Sequence, residues 1–181
     1  MSSFENLLQH NQSFATDYDL HLPMQPRIPT LILTCVDARV DPAHFLGLQL
    51  GDASVIRTAG ARVTHDVEVE IGVLSTLMRR KNPDFPGFAL AIIHHTDCGY
   101  ERLADPELRT MLCADLGIDE AELCGLGISD HTQSILDDMQ RLRQSPCVPK
   151  NTLVTGYIYD VDDGAVREVV PATQLNTPLS V

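Results

Sequence analysis

Apolar positions along this chain fall into two kinds of pattern. Over residues 3–16, Phe4, Leu7, Leu8 and Phe14 recur at roughly helical spacing, which predicts an amphipathic N-terminal helix. Residues 21–29 then carry three prolines, which remove backbone donors and predict an irregular connection. Short continuous apolar runs follow at 30–34, 53–56, 88–93 and 152–158. Runs of this length, apolar at nearly every position, suit strands covered on both faces, as in a parallel sheet.

Between the second and third runs, residues 65–80 hold Val67, Val69, Ile71, Val73, Leu74, Leu77 and Met78, predicting a buried helix closed by Lys81-Asn82-Pro83. Asp130 is placed to cap a further helix carrying Ile135, Leu136, Met139 and Leu142, which Ser145-Pro146 would stop. Strand, helix, strand in alternation implies a doubly wound, mainly parallel sheet flanked by helices, with right-handed crossovers. In residues 159–169, Asp162-Asp163-Gly164 offers a hairpin turn that would return the chain as an antiparallel C-terminal edge strand. The expected organisation is one α/β domain over 28–181, preceded by a helical arm and connector over 1–27. A chain of 181 residues with 44% hydrophobic composition can bury one substantial core, whereas two domains would each be small.

Charge narrows the function classes. Twenty-five acidic against 13 basic residues leave a formal charge of −12, the wrong sign for neutralising phosphates, so no nucleic-acid partner is expected. The first residues lack a basic segment followed by an apolar one, and no apolar run is long enough to cross a bilayer, so a cytoplasmic protein without a membrane partner is expected. Five cysteines form an odd set with no even spacing, so the useful question is which of them bind metal or react. Cys113, Cys124 and Cys147 are expected to be small core hydrophobes.

Two short motifs carry the chemistry. Cys35-Val36-Asp37-Ala38-Arg39 stands at the end of the first apolar run, and His95-Thr96-Asp97-Cys98 at the end of the third. Both ends belong to the edge where an α/β sheet presents its ligands. Two thiolates and one imidazole favour Zn2+, one ion per chain, and three protein ligands leave a tetrahedral position free; a structural site more often recruits four. A thiol-only, phosphatase-like loop fits less well, because only three residues separate Cys35 from Arg39, too few amides to cradle an oxyanion.

Taken together, Cys-x-Asp-x-Arg followed by His-x-x-Cys resembles the zinc signature of the β-class carbonic anhydrases. Residues 51–60, Gly-Asp-Ala-Ser-Val-Ile-Arg-Thr-Ala-Gly, resemble that family's Gly-Asp-Ala…Arg-Asn-Ala-Gly stretch, and 94–99 its His-His-Thr-Asp-Cys-Gly block. With Gly156-Tyr-Ile-Tyr-Asp-Val161 and Gly164 the likeness spans about residues 28 to 170. It implies hydration of CO2 by a zinc-bound hydroxide, whose water the metal brings toward a pKa of roughly 7.

On this pattern Asp37 would accept the hydroxide's proton in a hydrogen bond, and Arg39 would hold Asp37 off the metal. Released, Asp37 could become a fourth ligand and close the site, an exchange the family is known for. Gly60, the backbone at Ala59, and Gly99 are expected to shape a narrow substrate pocket. His44, His65, His94 and Tyr100 stay open as proton-relay candidates.

Relatives of these enzymes that hydrolyse carbonyl sulfide (COS) share the scaffold and the ligand set, so COS is the alternative substrate. Two departures bear on that choice: Ala38 stands where serine is frequent, and Thr58 where the family has asparagine. A non-catalytic zinc staple is the reading from a different class. The resemblance further implies that the N-terminal helix embraces a neighbouring subunit, giving a homodimer or homotetramer.

Overall fold

A computed structural model describes residues 3–177. The outer limits expected for the arm, residue 1, and for the α/β unit, residue 181, lie outside the described residues. In chain order the elements are α1 (Ser3–Thr16), β1 (Thr30–Cys35), α2 (Pro42–Phe45), β2 (Ser54–Thr58), α3 (His65–Lys81), β3 (Ala89–His95), α4 (Pro106–Leu116), α5 (Glu120–Leu126), α6 (His131–Gln144), β4 (Leu153–Tyr159) and β5 (Val166–Gln174). Short 3-10 turns occupy Ala59–Ala61 and Gly99–Ala104.

Among the described residues five strands form one sheet in the order β2-β1-β3-β4-β5, parallel except for β5 against β4. The chain steps one way from β1 to β2 and the other way from β2 to β3. With right-handed crossovers that reversal puts α2 on one face and α3 and α6 on the opposite face.

Strand alternation bears this out. Leu31, Leu33, Leu90, Ile92, Val154 and Val170 pack with Val67, Ile71 and Met78 of α3 and with Ile135, Met139 and Leu142 of α6. Ile32, Ala91 and Ile93 point the other way, where Phe45, Leu48, Ala53, Tyr157 and Tyr159 meet them. This second layer is thin, and Ile28, Leu46, Leu50 and Val55 remain exposed beside it.

Local signals explain the helix ends. Thr64 caps α3 by accepting from the Val67 N–H, acidic residues occupy its first turn, and Arg79, Arg80 and Lys81 close it against the helix dipole. Asp130 caps α6 as expected, accepting from the Gln133 N–H at 2.7 Å. The pair α4 and α5 was not anticipated. Neither shows a buried stripe, since α4 buries no residue fully and α5 only Leu123, although Asp105-Pro106, Gly117 and Asp119 supply caps at their ends.

Gly156 in β4 is required by packing. A Cβ there would stand 2.6 Å from Cγ2 of Ile135 and 3.1 Å from Cβ of Val170, so α6 lies directly against the strand.

A buried ion pair ties α6 to the loop after β2. Arg62 donates to both carboxylate oxygens of Asp138, at 2.9 and 3.0 Å, and to the Gly127 carbonyl at 2.9 Å; the Val63 N–H completes the set at 3.2 Å. Both side chains are less than a tenth exposed. Replacing Asp138 with Ala leaves the Arg62 charge buried and alone, and should cost about 3–5 kcal/mol, read as a lower urea midpoint at unchanged slope.

Candidate metal centre

The winding reverses between β1 and β3, and the carboxyl ends of those two strands meet at the crevice this opens. Cys35 is the last residue of β1, paired in register with Thr58, and His95 is the last of β3, paired with Tyr159. Beyond Cys35 the Val36 N–H still reaches the Thr58 carbonyl at 3.0 Å, and the chain then turns. Beyond His95, Thr96 continues the ladder to the Tyr159 carbonyl, Asp97 adopts φ +54°, and Cys98 opens the Gly99–Ala104 turn. That left-handed residue bends Cys98 back toward Cys35.

The side-chain donor atoms of Cys35, His95 and Cys98 lie within 4.8 Å of one another, and all three residues are buried, at 4%, 1% and 4% exposed. His95 Nδ1 stands 2.9 Å from the Thr96 carbonyl, which can only accept, so Nδ1 carries the proton and Nε2 keeps a bare lone pair. That Nε2 is buried, with no hydrogen-bond partner among the described residues. An imidazole so oriented, with two sulfurs close by, is how a metal-ligating histidine is arranged. The three residues could hold a metal ion, and two sulfurs with one nitrogen suit zinc among the divalent ions.

Electrostatics agree with that donor set. The Cys98 thiol beside it, with His95 and the backbone amides of Asp37 and Gly60, outweighs burial and pulls Cys35 down to about 4. Cys98, sharing its proton with that thiolate, is pushed up. Burial opposes a charge on His95, but the neighbouring Cys35 sulfur more than compensates, and its net shift is upward.

Beside the cluster, Arg39 forks onto Asp37, Nε to Oδ1 at 3.0 Å and Nη2 to Oδ2 at 2.8 Å, while the Arg39 N–H also reaches Oδ1 at 2.9 Å. These donors hold the Asp37 carboxyl well below the usual carboxylate range. The other edge of the guanidinium grips Asp97, at Oδ2 (2.8 Å) and at its carbonyl (3.0 Å). Arg57 fastens the loop from below, donating to the carbonyls of Cys35, Asp37 and Val40 at 3.0, 2.7 and 2.6 Å.

Of the expected pocket residues, Gly60 is buried at φ +70°, and a Cβ there would press on Tyr100 at 3.0 Å. Ala59 precedes it, half-buried. A Cβ at Gly99 would meet no atom of the described residues within 4 Å.

Tyr100 packs on the Cys35–Cys98 cluster, whereas His44 and His65 are exposed. His94 is fully buried, and burial pushes it down to about 3. Cys124 and Cys147 correct an expectation: both are exposed rather than core residues, and Cys113 is half-buried, because α4 and α5 bury almost nothing and Cys147 sits in a surface turn.

Arg57, Asp97, Glu101 and His131 were missed as contributors. Asp97 lies inside the second motif and Glu101 three residues after Cys98, at capping-box spacing, so both had a local signal. His131 had none.

Fold and donor set together define an α/β protein able to hold one metal ion at the switch point of its sheet. The family model for carbonic anhydrase matches residues 30–105. A carbonic anhydrase of Streptococcus mutans, known from its crystal structure, superposes with a TM-score of 0.76 at 36% identity, over 93% of this chain and 98% of that one. The β-carbonic anhydrase 1 of Mycobacterium tuberculosis is 29% identical over 94% of this chain and 100% of its own length. A carbon disulfide hydrolase of an Acidianus strain is 26% identical over 76% of this chain and 75% of its own. The chain belongs to the β-carbonic anhydrase family.

Proposed function

We propose that this protein is a zinc-dependent carbonic anhydrase that hydrates CO2 to bicarbonate. One observation carries it: the Cys35, His95 and Cys98 donors converge within 4.8 Å next to a carboxylate that Arg39 holds by both oxygens. Zinc held by those three residues would supply the Lewis acidity that provides a water-derived nucleophile near neutral pH.

The protein's own part is positional. Asp37, kept ionised by Arg39, can only accept hydrogen bonds, and so orients the attacking water by its proton. Arg39 holds Asp37 by both oxygens and would keep it off a metal bound there, and its grip on Asp97 holds the guanidinium in place. The buried walls at Ala61 and Ile128 make the cluster's inner side apolar, as suits a neutral linear substrate. The balance is CO2 plus water to bicarbonate and one proton: one C–O bond forms as one C=O π bond opens onto its oxygen and one O–H bond of the water breaks.

A second reading, hydrolysis of COS to CO2 and H2S, is favoured by the likeness to a carbon disulfide hydrolase and by Ala38 and Thr58 in place of the usual residues. Zinc-loaded protein assayed in parallel on CO2 and on COS separates the two. Bicarbonate formed far more efficiently than sulfide supports the first, the reverse ratio supports the second, and zinc bound without turnover of either leaves a structural metal.

Among the described residues no helix is long and apolar enough to cross a membrane; a cytoplasmic location is proposed on composition. We also propose a homo-oligomer, at least a dimer. On α1, Phe4, Leu7, Leu8 and Phe14 are 54–76% exposed, and an apolar hollow of about 320 Å³ lies open on the thin face among Ile28, Ile32, Leu46, Leu48, Ile93 and Tyr157. Light scattering at micromolar concentration should return at least twice the 19.9 kDa chain mass; a monomeric mass removes the proposal.

A further inference from the structure

Behind the donor set lies a polar chain that the chemistry above does not use. Glu101 Oε1 accepts the backbone N–H of Cys98 at 2.9 Å and stands 3.0 Å from Nε2 of His131, the first residue of α6. The other ring nitrogen of His131 is 3.1 Å from Nδ1 of His94, the two rings meeting edge to face.

Proton positions follow from the acceptors. A carboxylate oxygen has no hydrogen to give, so His131 Nε2 carries the proton on that side. In the neutral ring Nδ1 is then the acceptor, and the proton between the rings sits on His94 Nδ1. His94, 1% exposed and kept neutral by burial, has its Nε2 left without a partner in the core. Each ring's orientation is thus set by its neighbour, from the core outward to Glu101.

A capping glutamate needs no such support to satisfy one N–H. Left alone, a side chain 41% exposed would sample several rotamers. His131 stands on a helix that Ile135, Met139 and Leu142 anchor, all at 0% exposed, so its hydrogen bond transfers the core's rigidity to the Cys98 turn. The same helix, through Asp138, holds Arg62 and Val63, the residues just beyond Gly60, whose amide faces the Cys35 sulfur. One helix therefore reaches both the Cys98 turn and the loop after β2 whose Gly60 amide faces Cys35.

We propose that His131 is a positioning residue of the metal centre, holding Glu101 so that its carboxylate fixes the backbone of Cys98 and hence the aim of that thiolate. The inference rests on the metal reading above. The test compares wild type with His131→Ala, His131→Gln, Glu101→Ala and the double alanine variant, each loaded with zinc or cobalt. Zinc release is followed by chelator capture, the sulfur-to-cobalt charge-transfer band by absorption, and unfolding of the metal-free protein by heat.

Expected results are zinc release roughly tenfold to a hundredfold faster in either alanine variant, with an altered cobalt band. The double variant should release zinc no faster than the worse single one, because both ends of one brace are removed. His131→Gln, whose amide NH2 takes the place of Nε2–H, should restore both readouts.

Wild-type release and cobalt spectrum in Glu101→Ala overturn the proposal even if His131→Ala does not fold. So does a His131→Gln variant no better than alanine, or additive losses in the double variant. Wild type that takes up neither zinc nor cobalt sinks the metal reading itself, before any variant is compared.

Discussion

Replacing His95 with alanine should leave two sulfurs that cannot hold zinc alone, so the metal content of the purified protein falls from one ion per chain toward none. On the proposed zinc chemistry the nucleophile would go with the metal, and the loss of turnover should exceed the roughly 10²–10⁴-fold that a single acid–base group supplies. Stability provides an independent check. A ligand present at a hundred times its Kd stabilises the folded state by about 2.7 kcal/mol. Added zinc should therefore raise the Tm of wild type and leave that of His95→Ala where it was. An unchanged zinc content by elemental analysis would mean that the buried, unpartnered Nε2 is not a ligand.

Asp37→Ala should separate chemistry from metal binding. Asp37 is not among the three converging donors, so zinc should stay bound at one per chain, while kcat/KM falls by roughly 10²–10⁴ because nothing accepts the attacking water's proton. The variant also leaves Arg39, 47% exposed, with Asp97 as its remaining carboxylate, and at that exposure the lost ion pair costs little stability. A near-wild-type Tm with the rate gone is the expected combination. Zinc retained with turnover unchanged would reduce the Asp37–Arg39 pair to a structural contact.

Much of this was legible in the amino-acid order. The four apolar runs became β1 to β4, residues 65–80 became α3, and Asp130 capped α6, because each element buries a face whose period is written locally. The ligand motifs were legible for the same reason: both follow strands, and strand ends in a parallel sheet share an edge. The α4–α5 pair was not. Lying on the surface, it needs no apolar stripe, and only its caps mark it.

Arg57 shows the limit at the site itself. The arginine itself stands in the 51–60 stretch that resembles the family, but its three bonds go to backbone carbonyls, which every residue has, so its partners could not be read from side chains. His131 shows it more sharply, reaching Glu101 across 30 positions through a contact that depends on how α6 crosses the sheet.

What the chain determined by itself was the kind of chemistry: two thiols, an imidazole, a carboxylate and a guanidinium, each delivered at the end of a strand. Only the tertiary structure decided that the sulfurs and the ring nitrogen share one small buried volume, that Arg39 spends its second edge on Asp97, and that a core helix reaches Glu101 beside Cys98 and Arg62 in the loop after β2. The reason is physical. Local order chooses strands, helices and caps through short-range sterics and hydrophobic period, whereas convergence depends on the winding of the sheet, which brings together residues some 60 positions apart.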